Sequence, residues 1–222
     1  LSRTFTDNTN RQTWTFSTWF KRGKVDGWQR IIEAGADTSN FCTITLKDDN
    51  ETIEVMDRAG SNQVRVQAYN KVRDPAEWYH LVVTFDTSNT READRVVIYL
   101  NGNRLEYLEF NQQPTINYAG SMNNNITHWI GRATNNTSYF DGYLADTHFV
   151  DGQALGPDHF GYKDPTYGDW RPKTYDDRNP EPNYGPNGFR LTYNSGSARI
   201  DQSGMGNHWT VNNFSESTDV VL

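Results

Sequence analysis

Cysteine is nearly absent: Cys42, in the run Phe41-Cys42-Thr43-Ile44-Thr45-Leu46, is the only one among 222 residues. No intrachain disulfide can form, so the fold draws nothing from an oxidising compartment. With no base placed beside it by the sequence, this thiol reads as a small apolar side chain in a strand. No run of 18 apolar residues occurs, so no helix is expected to cross a membrane and no membrane partner is expected. Positive charge is short as well: 21 Lys and Arg against 28 Asp and Glu leave a net charge of −7. Phosphate recognition needs a basic surplus or a basic stripe, so nucleic acid is not the expected partner. Helical periodicity is missing too. The one helical turn expected is Pro157 to Phe160, where Pro sits in the first turn and its missing N–H costs nothing. The opening Leu1-Ser2-Arg3-Thr4 has neither an initiator Met nor a signal-peptide pattern, and reads as the start of a processed product or of an excerpt from a longer protein.

Aromatics are abundant, with 7 Trp, 12 Tyr and 11 Phe, and they fall in short alternating runs that suit pleated, half-buried surfaces. Thr13 to Phe20 alternates with aromatics on both faces. Further strands are expected at Trp28 to Ala34, Phe41 to Lys47, Thr52 to Met56, Gln63 to Tyr69, Trp78 to Phe85, Arg95 to Leu100, Asn103 to Glu109, Ile126 to Gly131 and Tyr143 to Val150. Asn101-Gly102 between two of them is a strong hairpin cue, because a type I′ turn needs positive φ at both central positions. Trp14, Trp19, Trp78 and Trp129 are expected in the core. Composition shifts near Lys163: Pro165, Pro172, Pro180, Pro182 and Pro186 follow among Tyr, Asp and Asn, an irregular aromatic-anchored arm rather than a new core. Strand pattern resumes at Gly188 to Tyr193. The expected organisation is a sandwich over 1–161 and, over 162–222, a Pro-rich arm returning to one or two strands. N-x-S/T sequons at Asn50, Asn125, Asn135, Asn136 and Asn213 are what an Asn- and Thr-rich chain yields by chance, so no glycoprotein is inferred.

The order of these pieces resembles the laminin G-like, concanavalin A-like superfamily. Trp14-Thr15-Phe16-Ser17-Thr18-Trp19-Phe20-Lys21 resembles its opening strand, and Glu77-Trp78-Tyr79-His80-Leu81-Val82-Val83-Thr84-Phe85-Asp86 its central one. Val97-Ile98-Tyr99-Leu100-Asn101-Gly102 resembles its hairpin. Ile130-Gly131-Arg132 with Tyr139-Phe140-Asp141-Gly142-Tyr143-Leu144-Ala145-Asp146 resembles the strand pair that follows. The motifs run in family order from about residue 12 to 161. The resemblance implies an all-β, jelly-roll sandwich of two antiparallel sheets. A narrower resemblance, to laminin G-like virion proteins of tailed, often marine, bacteriophages, rests on Phe20-Lys21-Arg22-Gly23, Arg73-Asp74-Pro75-Ala76-Glu77-Trp78-Tyr79-His80 and Phe149-Val150-Asp151-Gly152-Gln153-Ala154-Leu155. Asp201 to His208 resembles a turn that in many relatives precedes the first strand; here it comes last, and either completes the sandwich in permuted fashion, which is the expected reading, or begins a second module.

Glucanases of this fold carry an E-x-D-x-x-E strand that sets the acid and the nucleophile on one face. That spacing is missing: Glu51, Glu54 and Asp57 stand at other offsets. His80 is expected to play a structural, hydrogen-bonded role, and no histidine spacing suits a metal. No nucleophile elbow occurs, so no catalytic residue is assigned. Asp48, Asp49 and Asn50 form one candidate ligand set for a single structural calcium ion, the only cofactor considered. Loops 37–40, 86–89 and 135–138 offer similar oxygens, and the same composition also simply turns strands. Glycan recognition needs exposed aromatic platforms beside amides or carboxylates; Trp28, Asn135, Asn136, Tyr139 and Trp170 are the candidates, with core packing the competing role for Trp28 and Trp170. What the narrower resemblance implies is a non-catalytic virion module at the surface of the particle, decorating a capsid or associated with a fibre or tail. Its partners would be other virion proteins or a host surface glycan, and its state a homo-oligomer, because virion sites are symmetric. The alternative is a lectin-like, carbohydrate-binding adhesin; a glycoside hydrolase is the third reading.

Overall fold

The computed structural model describes residues 1–48, 51–175 and 183–212. Among the described residues fifteen strands run in chain order: β1 (Ser2–Thr4), β2 (Thr13–Arg22), β3 (Gln29–Gly35), β4 (Asn40–Leu46), β5 (Ile53–Ala59), β6 (Ser61–Ala68), β7 (Tyr79–Asp86), β8 (Val96–Leu100), β9 (Asn103–Arg104), β10 (Leu108–Gln112), β11 (Thr127–Ile130), β12 (Gly142–Asp151), β13 (Gly161–Lys163), β14 (Trp170–Pro172) and β15 (Phe189–Leu191). A seven-stranded sheet in the order β1-β11-β3-β4-β5-β6-β10 faces a six-stranded sheet in the order β15-β12-β2-β7-β8-β9. This is the antiparallel sandwich that the alternation predicts. The helical turn at Pro157–His159 is a short 3-10 turn.

Period-two alternation builds the core. From β2, Trp14, Phe16 and Phe20 point between the sheets, meeting Leu81, Val83 and Phe85 of β7 and Cys42, Ile44 and Leu46 of β4. Trp14 stacks on Phe85 with ring centroids 4.9 Å apart. The other face of β2 is buried as well, because the segment after β12 folds back over the outside of the six-stranded sheet. There Val82, Val150, Phe160, Tyr175 and Tyr184 form a second, smaller apolar cluster. Burying a side chain such as Phe160 contributes about 1.5–3 kcal/mol, so the arm is held by a core of its own. Both of its ends meet at Asp151, which donates its N–H to the carbonyl of Tyr184 (2.8 Å) and accepts the N–H of Asn187 on Oδ2 (3.1 Å). The chain then re-enters the sandwich as β15, paired with β12. Trp209 packs edge-on against Phe189, and Thr210 exchanges backbone hydrogen bonds with Ser2 of β1.

Four expectations need correction. Trp78 and Trp129 are not core residues; each is only half buried. Trp129 alternates outward between buried His128 and Ile130 and lies under the Arg132 guanidinium, 5.1 Å from its ring. The strand expected from Asn103 to Glu109 is two: β9 pairs with β8, the chain turns inward at buried Leu105, and β10 joins the opposite sheet beside β6. The arm is not wholly irregular, for β13 and β14 form a hairpin. Its turn is held by Asp164, whose Oδ1 accepts the N–H groups of Thr166 (2.8 Å) and Tyr167 (3.0 Å). Finally β1, unmarked by any alternation, pairs with β11.

Candidate functional site

Strand register places the site on the outer face of the six-stranded sheet, at the end that the arm leaves partly open. Trp19 on β2 lies opposite His80 on β7 and Ala145 on β12. One pleat further along, Lys21 on β2 lies opposite Tyr143 on β12, and Trp78, next to the first residue of β7, occupies the corresponding outward position. The rings of Trp78 and Tyr143 are 6.5 Å apart. Trp19 is nearly closed to solvent and forms the floor, stacked on His80 at 4.8 Å.

The hairpin supplies the opposite wall. Trp170 Nε1–H donates to His80 Nδ1 at 2.9 Å, and His80 Nε2 lies 2.9 Å from Ser17 Oγ. An indole nitrogen only donates, so His80 Nδ1 accepts, the ring proton sits on Nε2, and Ser17 Oγ receives it. Burial lowers the His80 pKa to about 3, which keeps the ring neutral and its Nδ1 lone pair available. Two glycines make room for the indole: a Cβ on Gly102 or on Gly161 would come within 2.5 Å of the Trp170 ring. Gly102 also has φ +79, as the hairpin turn requires.

Trp19, Trp78 and Trp170 line two adjoining cavities of about 490 and 290 Å³. Asn101, Asn103, Lys163, Glu77 and Asp169 rim the larger. Asn101 Oδ1 accepts the His80 backbone N–H at 2.8 Å, which fixes the side chain, while no described residue engages its Nδ2. Asn103, an exposed residue, donates from Nδ2 to the Asn101 carbonyl at 3.0 Å, and no described residue donates to its Oδ1. Asp169 is paired with Arg171 at 3.3 Å; the Glu77 carboxylate and the Lys163 ammonium have no ionic partner among the described residues. Aromatic faces, amides and carboxylates converge here, and a polyhydroxylated ring presents to such a surface both C–H faces and hydroxyls that donate and accept.

The residues picked from the sequence are dispersed. Trp170 is in the groove. Trp28 is 36% exposed on the far sheet, with Lys47 Nζ 4.8 Å and the Arg30 guanidinium 5.5 Å from its ring. Asn135 borders a depression of about 190 Å³ beside Arg30, Glu33 and Arg58. Asn136, bonded by Arg132, and Tyr139 share a separate cavity of about 490 Å³ with Phe140 and Leu144. Asp48 is exposed in its loop; Asp49 and Asn50 lie outside the described residues. Among the described residues no group of three or more His, Cys, Asp and Glu is placed to hold a metal. The groove residues that sequence reasoning missed are Trp19, Trp78, Glu77, Asn101, Asn103 and Asp169. Alternation did carry a signal: Trp19 falls on the opposite face of β2 from Trp14, Phe16 and Phe20.

Residues 3–159 match the sequence profile of a family described as Laminin_G_3, the concanavalin A-like lectin/glucanases superfamily. No curated protein sequence matches the chain. Among solved structures, a putative carbohydrate binding protein from Bacteroides ovatus superposes with a TM-score of 0.56 at 14% identity, covering 93% of this chain and 53% of its own. Domain 4 of AbnA, an extracellular arabinanase from Geobacillus stearothermophilus, solved in complex with arabinotriose, superposes with a TM-score of 0.51 at 14% identity, covering 66% of this chain and 64% of its own. At this identity the likeness is one of fold. The Trp170 wall of the groove, on the hairpin after residue 160, lies beyond the segment matched by the family profile.

Proposed function

The chain belongs to the concanavalin A-like lectin/glucanases superfamily, and from that premise we propose that it is a non-catalytic carbohydrate-binding module whose ligand lies in the tryptophan groove. The observation that carries this reading is the convergence of Trp19, Trp78 and Trp170 on one cleft rimmed by Asn101, Asn103, Glu77 and Asp169. The two structural neighbours support it in kind, one described as a putative carbohydrate binding protein and the other solved with a trisaccharide. The groove's chemistry points to binding rather than hydrolysis. Its two carboxylates, Glu77 and Asp169, are exposed, whereas a general acid relies on an apolar, buried setting. Its histidine is committed at both ring nitrogens.

A glycan array probed with the purified chain tests the reading. The expected result is a defined set of bound glycans, lost in Trp78→Ala; because Trp78 is half buried outside the core, that variant should retain the wild-type circular dichroism. An array with no bound glycan overturns the proposal. The setting implied by the narrower resemblance is attachment on a tailed-phage particle, as a symmetric oligomer, to other virion proteins or to a host glycan. Recovery of the chain at fixed stoichiometry from purified particles tests it. Calcium at Asp48, Asp49 and Asn50 is a separate proposal, checked by titrating Ca²⁺ into chelated protein; absence of heat and of a thermal shift removes it.

A further inference from the structure

We infer that the groove takes an internal stretch of a neutral polysaccharide, several sugars at once, rather than one terminal sugar; this rests on the glycan-binding reading above. The first ground is continuity. The two cavities share Trp19, Glu77, Trp78, Asp169 and Trp170, so they form one channel. Asn103 and Lys163 line only the larger cavity, and Ala76 and Pro172 only the smaller, so the groove runs on from one set of residues to the other. The second is size: the larger cavity alone, about 490 Å³, falls in the range of about 300–1,000 Å³ that encloses a drug-sized ligand, more than a single pyranose fills. The third is Tyr143. Its ring is 48% exposed, belongs to neither apolar cluster and stands 6.5 Å from Trp78. Outside the lining of both cavities, it offers a further aromatic face beside Trp78, which a single-sugar site has no use for.

Charge selects the class of chain. Arg171 is tied to Asp169, which leaves Glu77 and Lys163 as unpaired charges of opposite sign. Acidic polysaccharides are held by forked cations aimed at carboxylate or sulfate groups; this rim has none free, and the chain carries a net charge of −7. A neutral chain loses nothing on either count.

Calorimetric titration with the monosaccharides, trisaccharides and hexasaccharides of cellulose, xylan, β-1,3-glucan and arabinan, and with the hexamer of galacturonic acid, tests the inference. At least one neutral hexasaccharide should bind about 10-fold or more tighter than its monosaccharide, a gain of about 1.4 kcal/mol. Tyr143→Ala, a surface change that should leave the circular dichroism intact, should weaken the hexasaccharide several-fold and leave the trisaccharide unchanged. A monosaccharide bound as tightly as its hexamer overturns the inference and leaves the glycan-binding reading standing. So does a hexagalacturonate bound more tightly than every neutral hexamer. Absence of binding by every probe, with an empty glycan array, overturns both.

Discussion

Replacing His80 by Gln should flatten the acid dependence of stability by about 2 kcal/mol between pH 7.5 and 5. His80 is buried and neutral, its pKa lowered by burial to about 3, against about 6.5 in an unfolded chain. For a base whose folded pKa is depressed, the stabilisation is fully present above the unfolded pKa. It is lost as pH falls, because the unfolded state takes up the proton first. The window therefore opens near pH 6.5 and extends down to about pH 3. At pH 5 the loss is about 1.5 pH units at roughly 1.4 kcal/mol each, or about 2 kcal/mol. Gln is the informative replacement: its amide can accept from Trp170 Nε1–H and donate to Ser17 Oγ, and it does not titrate. Gln fills the site less well than imidazole, so the variant should be less stable at both pH values; only the difference between them is diagnostic. Urea unfolding followed by tryptophan fluorescence at the two pH values gives the four free energies, and other titrating groups cancel in the comparison. If the variant loses as much stability on acidification as the parent, with unchanged m-values, then His80 is not a neutral acceptor and does not hold Trp170 through its Nδ1.

Asp57 should act with the opposite sign. Burial raises it to about 6 even though Tyr118 and Ser121 donate to its carboxylate. A carboxyl whose folded pKa is raised contributes most below its unfolded pKa and loses that contribution as pH rises through the folded one. Asp57→Asn should therefore remove a gain of roughly 1.4 kcal/mol that the parent makes between pH 7 and 5, read by the same unfolding curves. Gly102→Ala forces a Cβ into the Trp170 ring at a backbone with φ +79. A loss of about 1–3 kcal/mol is expected, together with faster proteolysis after residue 172; an unchanged cleavage pattern would show that the hairpin is not seated against that turn.

Much of the fold was legible because burial writes itself into the chain with period two. Cys42, Ile44 and Leu46 show it, set against Thr43 and Thr45, and the Asn101-Gly102 turn was legible by its own chemistry, with φ +47 and +79 where positive values were expected. The site was not legible for the same reason. Alternation says that Trp19 and Trp78 sit on the face away from Trp14, but not what covers that face. Cover comes from a hairpin more than 80 residues after Trp78, around Asp164-Pro165, a composition that reads as loop. The Asn-rich stretches drew attention instead because their chemistry is exposed in sequence. Asn135, in a turn, and Tyr139, in the loop before β12, border other cavities. What a sequence window cannot contain is a cleft whose two walls come from distant segments.

The arm leaves β12 at Asp151 and returns as β15, hydrogen-bonded to β12 itself. It is an excursion closed on a single strand, and the entropy of closing such a loop grows only with the logarithm of its length. The sandwich keeps its own registry whatever the excursion carries. Exchange of residues 161–172 alone would therefore replace one wall of the groove while Trp19 and Trp78 stay in place, so that ligand preference can diverge between related chains at the cost of the Trp170–His80 hydrogen bond rather than of the strand registry.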